Sequence, residues 1–281
     1  MLFLLKMDRS EIIRSAENQY KQILEEFFIS VYNEISLSSH GIDHHRRVWN
    51  YAKEFLKQIP SENSENTLQL SANLIIACYM HDIGMSVDPG TRHGKISRKF
   101  CIRFLSEHNL PKDGFQAALE AIENHDNKDY AADYKKNGLL SILSVSDDLD
   151  AFGFTGIFRY TEIYLTRGIE PDKIGILVRE NAGKRFLNFL KSFGSYNAIV
   201  ERHTSRFKLL DEFFSKYNTQ LASYQFGLSH PTGYCGVIEL FDHMIKRRIE
   251  LREIYLESEK YLVDPTIRWF FTELKKEISV S

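Results

Sequence analysis

Residues 72–84, A-N-L-I-I-A-C-Y-M-H-D-I-G, constrain this chain more than any other stretch. Eight of the nine positions from Ala72 to Met80 are apolar, which suits a helix buried on nearly all sides and not one that shows a face to water. The run then ends in His81 and Asp82. An imidazole and a carboxylate in the driest part of a protein cost several kcal/mol unless each meets a hydrogen bond or an opposite charge. Whatever folds around this helix must supply that partner.

The surrounding sequence is helical throughout. Only six prolines interrupt 281 residues, and most segments repeat apolar residues at spacings of three and four, so the pattern predicts an all-α protein. Helices are expected at about Arg9–Ser36, from Asp43 through Leu56, at Thr67–His81, at Lys95–Glu107 and from Asp113. On this last helix Ala117, Ala118, Ala121, Ile122 and His125 share a face. Leu139, Leu140, Leu143, Asp147, Asp150 and Phe154 fall on a further stripe. Gly156–Arg167, Lys173–Phe193 and Ala198–Tyr224 follow as helices. Loops are expected after Pro60, at 85–95 and at 128–137. Glycines and a proline at 226–236 mark a change of character. Beyond them lie an amphipathic helix over Val237–Leu262 and a last one opened by Asp264 and Pro265. We therefore divide the chain into a main body, 1–222, and a helical appendage, 223–281. The appendage stripe of Ile238, Phe241, Ile245 and Ile249 suits intramolecular packing, with a homodimer contact as the alternative.

Bulk charge narrows the function. With 36 basic and 38 acidic residues the formal net charge is -2, so no global field draws the chain to extended nucleic acid or an anionic membrane. No apolar run approaches the length of a membrane span, and the opening M-L-F-L-L-K-M reads as a helix-joining segment rather than a signal. Three widely spaced cysteines offer neither a disulfide framework nor a Cys-x-x-Cys zinc site, which suits a reducing cytoplasm.

Four segments put a metal-competent side chain where the helical pattern asks for Leu or Val. His44 precedes Val48 and Ala52 by helical turns, His81 continues Leu74, Ala77 and Cys78, His125 continues Ala118 and Ala121, and Asp147 continues Leu140 and Leu143. A lone inward histidine is ordinarily a core residue with a backbone partner. Four together, with no inward Lys or Arg to match, make a divalent cation the most economical counter-charge. His45 lies about 100° around the helix from His44 and is expected outward or behind the ligands. His40, one turn earlier, suits lining the site. Asp148 is off the stripe and expected solvated or capping, whereas Asp150 is on it.

In its motifs the chain resembles the HD-domain superfamily of metal-dependent phosphohydrolases. The likeness rests on H-H-R-R-V-W around His44, H-D-I-G at 81–84 and D-D-L-D-A-F-G at 147–153, in the order H…HD…D. It covers about Ser38–Tyr160, with helices to Tyr217 resembling the small bacterial HD proteins. The resemblance implies an HD-type helical bundle with a first-metal set of His44, His81, Asp82 and Asp147. His93 and His125 stand where some members bind a second metal, with Asp82 as the bridge. Met85 replaces the lysine of members that cleave cyclic dinucleotides, and no G-Y-P signature occurs, so that activity is not expected.

The resulting expectation is a metal-dependent phosphohydrolase acting on a nucleotide or similar small phosphate ester. Imidazole with carboxylate suits Mn, Fe, Co, Ni and Zn alike. Such an ion activates water near neutral pH and withdraws charge from a phosphoryl oxygen. Arg46 or Arg47, together with Arg92, Lys95, Arg98 and Lys128, are the candidates to meet substrate charge; Asp148 and Asp150 join Asp82 as candidate catalytic carboxyls. Two alternatives stand: a di-iron oxygenase on the same ligands, and a regulatory protein that binds a nucleotide without turnover.

Overall fold

The computed structural model describes residues 8–32, 37–59, 64–127, 138–227, 230–249 and 251–279. Among them are helices and short 3-10 turns and no strand. The chain forms two compact units, Met1–Ile35 with His40–Leu149, and Ser36–Ser39 with Asp150–Ser281.

In the first unit Asp8 and Glu11 form a reciprocal capping box at the start of α1 (Arg9–Ala16), leaving the first N–H groups satisfied. The helix passes through a π turn, Glu17–Lys21, into α2 (Gln22–Tyr32). Ile12, Ile13, Tyr20, Leu24, Phe27 and Phe28 are buried along it, as their spacing predicts. Then come α3 (Ile42–Gln58), α4 (Ser64–Met80), α5 (His93–Glu107), α6 (Gln116–Asn124) and α7 (Leu139–Asp150). The apolar α4 packs against α1, α2, α3, α5 and α6. Every residue from Leu74 to Gly84 is buried, so the helix that could not face water occupies the centre.

Two details of the pattern are corrected. On α6 Ala117 is exposed and Leu119 buried, so the inward face is rotated by a residue. On α7 all positions from Val145 to Asp150 are buried, while Leu139, Leu140 and Ser144 are half-buried; the second half of this helix has no solvated side. The expected loop at 128–137, with Lys128, lies outside the described residues, as do the opening residues 1–7.

The second unit holds α8 (Gly153–Thr166), α9 (Pro171–Phe193), α10 (Asn197–Leu221), α11 (Gly233–Arg247), α12 (Leu251–Ser258) and α13 (Pro265–Ser279). Helix α10 packs against α8, α9 and α11, and α11 against α8 and α13. The boundary drawn at 222/223 thus falls between two packed helices of this unit. A cluster of Phe158, Phe213, Phe241, Phe270 and Phe271 fills it, with ring centroids 5.0–5.7 Å apart. The helix expected over Val237–Leu262 is broken: Arg248 adopts a left-handed conformation, φ 55°, and the Ile249 N–H turns back to the Met244 carbonyl at 3.1 Å, as in a Schellman stop. Apolar spacing continues across this break, so periodicity alone reads one helix. Asp264 opens α13 as expected, accepting from Thr266 and Ile267 N–H at 2.9 Å, and it also accepts from the Gly233 N–H that begins α11.

Candidate metal centre

Three imidazoles are set by one local device. His81 directly follows α4 and His125 directly follows α6. Each donates its Nδ1–H to the carbonyl three residues back, Cys78 at 2.9 Å and Ile122 at 2.7 Å. His93, first in α5, does the same to Gly90 at 2.6 Å. A carbonyl only accepts, so Nδ1 carries the proton and Nε2 is left with its lone pair. The C-terminal ends of α4 and α6 add the negative poles of two helix dipoles, which favour a cation.

The Nε2 atoms converge. Those of His44 and His81 are 3.2 Å apart. Asp82 Oδ2 stands 3.5 Å from the first and 3.4 Å from the second, and Asp147 Oδ1 at 3.7 and 3.9 Å. On the other side of the same carboxylate, Asp82 Oδ1 is 3.0 Å from His125 Nε2 and 3.4 Å from His93 Nε2, with 3.3 Å between the two imidazoles. Two ligand groups, His44–His81–Asp82–Asp147 and Asp82–His93–His125, therefore share Asp82, and all six side chains are buried.

The donor set fits a divalent cation. Ligands about 2.0–2.2 Å from an ion in tetrahedral array stand roughly 3.3–3.6 Å apart, and the separations here, 3.0–3.9 Å, bracket that range. His81 and His93 point lone pairs at carboxylate oxygens, acceptor toward acceptor, an arrangement that needs positive charge between them. Burial pulls the His81 pKa below its ordinary value, only partly opposed by Asp82 and Asp147. Burial is also the largest influence on His125 and lowers it, but the Asp82 hydrogen bond together with the charges of Asp82, Asp126 and Asp147 outweighs it and the net direction is upward. Asp82 is pushed up by burial and brought well below the carboxylate range by His81, His125 and His44. It remains ionised.

Two glycines let the pieces close. A Cβ on Gly84, the glycine of H-D-I-G, would lie 2.3 Å from the His93 carbonyl oxygen and 2.7 Å from Ser97 N. One on Gly94 would lie 2.7 Å from the Glu123 carbonyl oxygen. The turn after Asp82 thus packs backbone to backbone on the start of α5, and α5 on the end of α6.

The six expected ligands come together. His40 Nε2 reaches 4.0 Å from Asp82 Oδ2, lining the site. His45 is fully buried behind the ligands: its Nδ1 donates to the same Cys78 carbonyl that fixes His81, at 3.0 Å. The basic candidates fare differently. Arg46 is held bidentately by Glu25 and also by Asp43, Arg98 pairs with Glu123, and Arg92, 80 % exposed, pairs with Asp88. Lys95 is exposed and Arg47 is buried. Asp148, expected solvated or capping, is wholly buried, in the enclosed second half of α7. Asp150 is buried too, and Arg159 donates to it at 3.2 Å. Arg159 lies outside the four stripes: α8 is enclosed from Gly153 to Tyr164, so residues a soluble pattern would leave outside are packed inside.

Residues 24–206 match the model of the HD-CE family. A crystal structure of a Lactobacillus plantarum protein aligns over 73 % of this chain and 99 % of its own, at 18 % identity and a TM-score of 0.46, a likeness too loose to carry an argument. No curated protein matches the chain.

Proposed function

We propose, for a chain that belongs to the HD-CE family, an HD-domain family, that this cluster holds divalent metal and that the protein is a phosphohydrolase acting on a nucleotide or similar small phosphate ester. One observation carries the reading: the two oxygens of Asp82 face two separate sets of imidazoles. His44, His81, Asp82 and Asp147 would hold one ion, and Asp82, His93 and His125 a second. Bound there, such ions activate water near neutral pH and draw charge from a phosphoryl oxygen.

The chain's own side chains supply the rest. Lys95 is exposed beside the His93 end of α5 and suits a substrate's outer charge. Arg47, buried one turn after His44, is the inner candidate. Arg92 must leave Asp88 to help, and Lys128 completes the proposed set. Of the two carboxyls expected to deliver a proton, Asp148 stays in this reading. Asp150 is the weaker one, since a guanidinium neighbour favours the charged carboxylate, a poor donor. No helix among the described residues is long and apolar enough to cross a membrane; a cytoplasmic site of action and a homodimer through the tail belong to the proposal.

Purified protein loaded with manganese, cobalt or nickel should release phosphate or pyrophosphate from a panel of nucleoside mono- and triphosphates. Turnover by Asp82→Ala at the parent rate would remove the reading. The doubled ligand set also suits a di-iron oxygenase. Against that stands Asp126, whose carboxylate is 4.0 Å from His93 Nε2 where the resemblance asks for a further imidazole. Full phosphatase activity in iron-free protein would decide between them.

A further inference from the structure

His44 and His81 belong to different helices, yet their ring nitrogens meet at 3.2 Å. Ligand spacing of this kind tolerates errors of a few tenths of an ångström, so α3 must be fixed against α4 at that level. Behind both helices stands Glu25 of α2. Its Oε1 accepts from Arg46 Nε and from the Tyr79 hydroxyl, each at 3.0 Å, and its Oε2 from Arg46 Nη2 at 2.7 Å. Arg46 comes two residues after His44 and Tyr79 two residues before His81, about 200° around each helix. One carboxylate therefore holds the backs of the two helices whose fronts carry the imidazoles.

We infer that Glu25 is a positioning residue for the metal centre, setting the separation of His44 and His81 through Arg46 and Tyr79. The inference rests on the reading of the cluster as a cation site. The bond geometry suits such a role. The Arg46 fork grips both oxygens, and its third nitrogen is tied to Asp43 at 3.0 Å, which leaves the guanidinium little freedom. Tyr79 is wholly buried, so its hydroxyl has no water to turn to.

Glu17 provides a matched control. It too is a part-buried carboxylate gripping α3, accepting from Trp49 Nε1 and Lys53 Nζ at 2.8 Å each, but these grips lie on the turns after His44 and involve no residue of α4. Glu25→Gln and Glu17→Gln remove the same charge; the first also forfeits a bond, since both Glu25 oxygens accept while Glu17 uses Oε1 alone, and only the first touches both ligand helices.

The experiment loads the full chain with cobalt(II) and reads its dissociation constant by chelator competition and its visible absorption band, with urea midpoints measured alongside. Supporting outcomes within tenfold to hundredfold precedent for partners of metal ligands are a Glu25→Gln affinity about tenfold weaker with a shifted band, and a Glu17→Gln affinity within about twofold with an unshifted band. Glu25→Gln indistinguishable from the parent, or Glu17→Gln equally weakened, overturns the inference while the cation reading stands. No cobalt uptake by the parent chain overturns the cation reading, and the inference with it. Should Glu25→Gln fail to fold, Tyr79→Phe removes one grip and keeps the ring. It should weaken cobalt about threefold, and unchanged affinity in it counts as refutation.

Discussion

The carboxylates of the second unit and Asp82 of the first are buried in different ways. In the second, each buried or half-buried carboxylate finds its partner within the chain. Asp150 takes Arg159 at 3.2 Å. Glu162 accepts the Ser38 and Ser39 N–H groups at 3.0 and 2.8 Å. Glu277 takes Arg206 at 2.7 Å and caps the Phe154 N–H at 2.9 Å. In the first, Asp82 faces imidazoles whose protons are already committed to carbonyls. Burial alone thus does not mark function; what marks it is a buried anion whose neighbours have spent their donors elsewhere.

That contrast is open to attack, and the largest effect comes from Asp82→Ala. It removes the residue common to both ligand groups, so bound manganese should vanish from elemental analysis and phosphate release should fall by at least about 10³-fold, the rate equivalent of several kcal/mol of charge stabilisation. Retained metal would show that Asp82 is not the shared ligand. Next, Arg159→Met takes the guanidinium from buried Asp150 and should lower the unfolding free energy by about 3–5 kcal/mol, as for other broken buried pairs. Because that pair needs no ion, the loss in urea melts should be equal with and without chelator; a chelator-dependent loss would erase the distinction between the units. Third, manganese at a hundredfold excess over its dissociation constant should stabilise the parent chain by about 2.7 kcal/mol, and Asp82→Ala not at all.

The smallest effect tests an in-house partnership. Burial raises the Glu162 carboxyl to about 7, with the Ser39 and Ser38 groups and Arg159 opposing it. A carboxyl with a raised folded pKa binds its proton more tightly folded than unfolded. Stability from this group is therefore highest below its ordinary value near 4.5, falls as pH rises toward 7, and is level above. Between pH 5 and 7.5 the drop should be on the order of 2 kcal/mol, at about 1.4 kcal/mol per pKa unit. Urea midpoints at pH 5 and 7.5 should converge in Glu162→Gln; an unchanged difference would place the titration elsewhere.

Much of this was legible in the sequence because helices declare their inward faces. His44, His81, His125 and Asp147 each stood in a Leu or Val position, and all are buried where the spacing put them. The fold class followed from the same periodicity. Illegible parts share a cause: they depend on what packs against a face, which spacing does not contain. His45 reads as outward or behind the ligands, and only the Cys78 carbonyl that α4 presents decides for the second. Asp148 reads as solvated or capping, yet it is wholly buried. Lys and Arg near a motif read as substrate contacts, yet Arg46 and Arg98 were claimed by Glu25 and Glu123, residues with no motif of their own.

The carbonyls that fix His81 and His125 sit in the final turns of α4 and α6. A final turn is where a helix frays first, and each opening would swing an imidazole out of register. Grip on a cation is thereby tied to the stiffness of two helix ends, and amide hydrogen exchange at 78–82 and 122–126 becomes a direct gauge of it. Substitutions far from any ligand, provided they soften those turns, should register there before they alter the rest of the molecule.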